Sequence, residues 1–243
     1  MLAVVQKVAA NREHLIVFTR YPEPGKAKTR LIPVLGAEGA AELHRQMAEH
    51  TLAQIRGLQA IRTLKVEVRF AGGDAARMQS WLGANLDYQV QPEGDLGDRM
   101  FQSFQSAYNN GSDATLIIGT DCPELDTLLM QKAFQTLHHH DLVLGPATDG
   151  GYYLIGLHHP IPELFQGIAW STSQVLSQTV AIAERLNLAI AYLPTLSDVD
   201  HPQDLKIWQR KKSPHTPHPT PHTPHPTPHT PHPTPHTPMT NDE

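Results

Sequence analysis

One cysteine, Cys122, is present in 243 residues, so no intramolecular disulfide can form and a cysteine-based zinc site is disfavoured. A basic excess is missing too. Nineteen Lys and Arg against 24 Asp and Glu give a formal charge of −5, which argues against nucleic acid as a partner. No apolar run approaches the roughly 18 residues of a membrane helix, so no membrane insertion is expected. The apolar start, Met1 to Val5, is too short for a secretory core, and the expected location is the cytoplasm. The G-x-x-x-x-G-K-[ST] spacing of a Walker loop is also absent.

What remains is 40% hydrophobic, enough for a sizeable core. From Pro214 to Pro238, after Ser213, only Pro, His and Thr occur, in the unit Pro-His-Thr-Pro-His-Pro-Thr, with no apolar side chain to bury. A short DNA repeat read in triplets gives this unit, the pattern that replication slippage leaves. Seven of the 16 histidines lie there, and weak metal chelation is the functional alternative to an extended, partly polyproline tail. The expected organisation is an N-terminal extension over 1–13, one domain over 14–211 and a disordered tail over 212–243.

Within the domain, short β-prone runs alternate with helical periodicity. Strands are expected at Leu15–Phe18, Leu64–Phe70, Tyr88–Val90, Ala114–Gly119, Leu142–Leu144, Tyr152–Leu157 and Leu188–Leu193. Helices are expected from about Ala37, then over 74–82, 98–108, 125–138 and 172–186, with a last one opening near Pro202. The pattern predicts an α/β fold, a mostly parallel mixed sheet with helices on both faces. Ligands of such sheets bind at the carboxyl ends of the strands, so the loops 20–30, 91–99, 120–124 and 145–151 should converge.

Those loops carry the chemistry. The first, Arg20 to Arg30, crowds Lys26, Lys28 and Arg30 behind an apolar strand; Pro22 and Pro24 should keep it extended, and Gly25 permits close backbone approach. The cations, with Arg20, can neutralise a diphosphate or form a solvated surface. Asp121, at the tip of the strand 114–119, can meet a hard divalent ion, Mg²⁺ or Mn²⁺, or cap the next helix. Asp200, before the last helix, is the second candidate ligand, with capping again the alternative and Asp204 in the first turn. In Gly145 to Tyr153, Asp149 beside Gly150, Gly151 and Tyr152 suits a hydroxylated acceptor, or forms a tight hairpin turn. Gly94, Asp95 and Arg99 either contact a nucleobase or phosphate or simply start a helix. Trp170 can line the acceptor side or anchor packing; Cys122 reads as a small buried hydrophobe, and His201 as a surface loop residue.

Five ordered motifs, F-T-R-Y-P-E-P-G-K-A-K-T-R-L, G-D-L-G-D-R-M, G-T-D-C-P-E-L, G-P-A-T-D-G-G-Y-Y-L-I-G-L and D-V-D-H-P-Q-D-L, span Leu15 to Leu205. Together they resemble the radical-SAM/selenodomain-associated transferase family of the GT-A glycosyltransferase superfamily. That resemblance implies a Rossmann-like three-layer sandwich and a metal-bridged diphosphate. It places Asp121 at the superfamily's metal aspartate, and Asp200 where sugar-nucleotide cytidylyltransferases hold their second. Thr120 departs from a full D-x-D motif. Two activities follow as expectations: glycosyl transfer from a nucleotide sugar to a small-molecule acceptor, or nucleotidyl transfer from a nucleoside triphosphate to a phosphorylated acceptor. A third reading is a nucleotide-binding module without catalysis.

Overall fold

Leu15, Ile16 and Val17 are all fully buried, so the strand β1 (Glu13–Arg20) is covered on both faces, as a central parallel strand must be. β4 (Ala114–Ile118) is buried throughout in the same way. They pair with each other and, with β2 (Lys65–Ala71), β3 (Asp87–Val90), β5 (Leu142–Pro146), β6 (Tyr152–Leu157) and β7 (Ile190–Tyr192), form a seven-stranded sheet ordered β3-β2-β1-β4-β6-β5-β7. Only β6 runs antiparallel to its neighbours. The computed structural model describes residues 12–212; the expected extension before residue 12 and the repeat tail from 213 lie outside the described residues. β1 already includes Glu13, one residue before the expected domain start.

Alternation along the strands divides the core in two. Leu15, Val17, Leu116 and Ile118 pack with Leu52 and Ile55 of α1 (Ile32–Ile61), Met78 of α2 (Ala75–Leu82) and Phe134 of α4 (Thr127–Leu137). Ile16, Ile117 and Ile155 face the other way, onto Met100 and Phe104 of α3 (Leu96–Asn109) and Ala183 of α5 (Val175–Arg185). The result is the expected three-layer α/β sandwich with a mostly parallel mixed sheet. A smaller cluster joins Leu43 and Met47 of α1 to Val199, in the segment after β7, and to Trp208 of α6 (Leu205–Lys212).

The chain leaves β1 through α1 toward β2 and reaches β4 from β3 through α3, on the opposite face. The strand order therefore reverses between β1 and β4, a topological switch point of the kind where open α/β sheets bind ligands. α1 begins at Ile32 rather than Ala37, but its backbone breaks at Gly36, so the regular helix starts where the periodicity does. α4 starts two residues later than expected, because Asp126 accepts from Leu129 N at 2.8 Å and caps it.

Candidate active site

A cleft of about 990 Å³ opens at the carboxyl ends of the strands. Arg20, Lys26, Lys28, Arg30, Asp121, Asp149, Gly151, Tyr152, Trp170 and Asp200 line it. Gly25, Gly150, Gly94, Asp95 and Arg99 lie outside the lining, the first two in loops whose neighbours line it.

The basic loop is not extended as the two prolines suggest. Gly25, at φ 79°, turns the chain, and Lys26 N donates to Glu23 O at 3.0 Å. Arg20 braces the turn through a 2.9 Å hydrogen bond to Lys26 O. Lys26 pairs with Glu23 at 3.0 Å in solvent. Lys28 departs from the solvated-surface reading. Its side chain is 3% exposed, and its Nζ lies 2.5 Å from Asp121 Oδ1 and 3.1 Å from Asp200 Oδ1. It also donates to Val199 O at 2.7 Å. Arg30 meets the other oxygen of Asp200 at 2.7 Å.

Two backbone links bring these carboxylates together. Val199 N donates to Asp121 O at 2.9 Å, which ties the segment before α6 to the loop after β4. Ala147 pairs with Leu196 as a continuation of the β5–β7 ladder, with Thr148 N donating to Leu196 O at 2.9 Å. Asp121 does not cap α4, since Asp126 does, and Asp204 accepts from the amides of Asp200 and His201 at 3.2 and 2.7 Å. Both cleft carboxylates are thus left free of capping. Burial works to raise the Asp121 carboxyl, but the Lys28 charge outweighs it and holds the group below its ordinary range. For Lys28 burial pulls down while Asp121 and Asp200 pull up, and the carboxylates prevail.

The donor set suits a hard cation. Asp121 Oδ1, Asp200 Oδ1 and Val199 O, all oxygens, surround one point within 3.1 Å, and the ammonium of Lys28 stands at that point. Asp121 Oδ1 has no well-directed hydrogen bond despite the ion pair. Among the described residues no trio of His, Cys, Asp and Glu is arranged around a metal, so a divalent ion here would take further ligands from substrate or water. Thr120 is buried, with its hydroxyl 3.4 Å from that of Thr19, and offers no second acid next to Asp121. Cys122 is buried, and burial, then the Asp121 charge, pushes its thiol well up, so it stays protonated.

At the other end, Asp149 sits in the β5–β6 hairpin: Ala147 N donates to Gly151 O at 3.0 Å, and Gly151 N donates to Asp149 Oδ1 at 2.9 Å. Turn and cleft carboxylate are the same residue. Gly150, at φ 90°, packs so closely on the backbone of Ser173 that a Cβ has no room, and this fixes the 168–174 segment beside Asp149. The Trp170 ring packs against Gly97 at the start of α3, and Trp170 also lines the cleft. Tyr152 lines the cleft while its hydroxyl is buried near Thr179, and burial raises its pKa. Asp95 and Asp98 form a reciprocal capping box at 2.9 and 3.1 Å, while Arg99 donates to Gly94 O at 3.0 Å. These four residues hold one another.

Two cleft residues had no role assigned from the sequence. Asp198 faces Asp149; burial, then that neighbouring charge, raises its pKa. His44 of α1 donates from Nε2 to Arg20 O at 2.9 Å, and burial pushes its pKa down. His44 lies on the stripe Ala40, Met47, Thr51 that marks the buried face of α1, which is the signal that identifies it.

A family profile described as an uncharacterized protein conserved in bacteria (DUF2064) matches residues 54–172. No curated protein matches the chain. A candidate nucleotide-diphospho-sugar transferase from Desulfovibrio desulfuricans G20 is 35% identical, with TM-score 0.78 over 84% of this chain and 89% of that one. The 4-diphosphocytidyl-2C-methyl-D-erythritol synthase of Anaerococcus prevotii DSM 20548 is 10% identical, with TM-score 0.54 over 82% and 96%. Rv0371c of Mycobacterium tuberculosis H37Rv, solved with manganese, is 11% identical, with TM-score 0.50 over 81% and 97%. Residues 54–172 carry the DUF2064 profile, and the chain belongs to the family of the Desulfovibrio protein, with the nucleotide-diphospho-sugar transferase fold, a fold of transferases.

Proposed function

We propose that the protein is a metal-dependent glycosyltransferase that moves a sugar from a nucleoside-diphosphate donor to a small hydroxylated acceptor. One observation carries this reading: two carboxylates from loops far apart in sequence converge on one cation position, beside a basic loop, at the switch point of the sheet. Asp121 and Asp200 would hold Mg²⁺ or Mn²⁺, which when bound offsets the charge of the departing diphosphate. The manganese complex of Rv0371c motivates the choice of ion.

Lys26, Lys28 and Arg30 lie where they can neutralise the diphosphate as the bond from sugar carbon to phosphate oxygen breaks. Asp149 keeps Oδ1 on the Gly151 amide, which leaves Oδ2 to take the acceptor hydroxyl proton as the new carbon–oxygen bond forms. Asp198 beside it provides a second carboxyl for that proton. Gly151, the ring of Tyr152 and Trp170 would bound the acceptor. The roles of Gly94, Asp95 and Arg99 toward a nucleobase, and the kinship with radical-SAM/selenodomain-associated transferases, belong to the same proposal.

Nucleotidyl transfer is the second reading. Its support is that Thr120 is buried and not acidic, so the paired carboxylates come from two loops, the arrangement expected of cytidylyltransferases. Leaving products separate the two. Incubation with Mg²⁺ or Mn²⁺, a panel of nucleotide sugars and nucleoside triphosphates, and candidate acceptors should release nucleoside diphosphate. Pyrophosphate would replace the first reading by the second.

A further inference from the structure

This inference rests on the donor and metal reading above and concerns the state of the site before either arrives. Lys26 and Arg30 are 63% and 58% exposed, whereas Lys28, between them, is 3% exposed. The backbone of Lys28 stands at φ 48°, ψ 47°, a left-handed conformation that L residues other than Asn and Asp seldom take. That conformation places the lysine among the oxygens of Asp121, Asp200 and Val199, at 2.5, 3.1 and 2.7 Å. An ammonium and a divalent ion cannot share this point, because like charges a few ångströms apart repel strongly in a partly buried site.

We propose that Lys28 is an internal counter-ion occupying the metal position of the donor-free protein, and that a divalent ion enters by displacing Lys28, a displacement that the donor's diphosphate favours. The diphosphate supplies what each cation otherwise lacks. It offers Lys28 new anionic oxygens, and it adds ligands to an ion for which the described residues provide two carboxylates and no third acid. Metal and donor then bind with positive coupling, each raising the affinity for the other by the same factor. Arg30, on the outer oxygen of Asp200, neutralises charge without filling the centre.

The test is Mn²⁺ titration of the full chain without nucleotide, with free Mn²⁺ followed by electron paramagnetic resonance and folding checked by circular dichroism. Lys28→Met should bind Mn²⁺ about tenfold or more tighter than wild type, whereas Lys28→Arg should stay near wild type. Arg30→Ala, which removes an equal charge but leaves the centre filled, should gain far less than Lys28→Met. Equal affinities for wild type and Lys28→Met, or an equal gain in Arg30→Ala, overturn the proposal. Wild type supplies an independent readout that needs no substitution. Reductive methylation read by mass spectrometry should leave Lys28 protected without metal and label it at saturating Mn²⁺, with exposed Lys26 as internal reference. Protection of Lys28 under saturating Mn²⁺ also overturns it. If no protein binds Mn²⁺ even with uridine diphosphate or cytidine diphosphate added, the metal reading itself fails as well.

Discussion

A carboxylate that caps a helix is committed to backbone amides, and at two of the acidic loops a neighbour takes that place. Asp126 caps α4 and Asp204 the turn before α6, which leaves Asp121 and Asp200 free to meet on Lys28. Asp121→Asn should therefore reduce metal-dependent turnover by about a hundredfold or more while the chain stays folded, since Lys28 keeps Asp200 as partner. Steady-state rates and a thermal melt check both halves. Arg30→Ala should weaken nucleotide binding in the presence of Mg²⁺ by about 1–3 kcal/mol, the scale of a lost charge-assisted contact. Its melting temperature should barely move, because an exposed ion pair contributes about 0–1 kcal/mol. Unchanged dissociation constants would return Arg30 to an ordinary surface charge. The acids and cations themselves were legible from residue type and position after strands. The burial of Lys28 was not: lysine ordinarily keeps its ammonium in water, and its two partners lie 93 and 172 residues further along the chain, brought in only by the sheet.

The strands were readable because the central ones are apolar without alternation, which is what burial on both faces requires. The direction of β6 was not, since Tyr152–Leu157 presents the same apolar run either way; the short Asp149 hairpin makes it antiparallel to β5. That hairpin bears on the acceptor end. Gly150→Ala would need an unfavourable φ and a collision with the backbone at Ser173, and should cost at least about 1 kcal/mol while shifting the segment that carries Trp170. Acceptor KM should rise more than donor KM; equal changes would argue that the hairpin does not form the acceptor side. At the opposite ends of the strands, Glu67 is buried with Arg69 and His14. Burial alone would raise its pKa, but His14 and Arg69 outweigh it and hold it at about 2 against 4.5 ordinarily. A carboxyl depressed in the folded chain stabilises it above the ordinary range, and that stability is lost as pH falls through about 4.5 toward 2. Chemical denaturation of Glu67→Gln across that window should show a shallower acid dependence than wild type; parallel curves would contradict the coupling.

For the molecule as a whole, the described residues through 212 hold the sheet, both helical layers and every cleft residue. No helix among them is long and apolar enough to cross a membrane. The tail contributes Pro, His and Thr with almost nothing to bury, so removing residues 213–243 should leave turnover and melting temperature unchanged. A large loss of either would mean that the tail docks on the domain. Everything proposed for the cleft depends on Asp121 and Asp200 sharing one ion that also touches the donor's diphosphate. Anomalous diffraction at the manganese edge, from crystals soaked with Mn²⁺ and a nucleoside diphosphate, addresses this most directly. The account predicts one anomalous peak between the two carboxylates, within coordination distance of the diphosphate, with Lys28 moved off that point and onto a phosphate oxygen. A bound nucleotide with Lys28 still between the carboxylates and no peak there would contradict it.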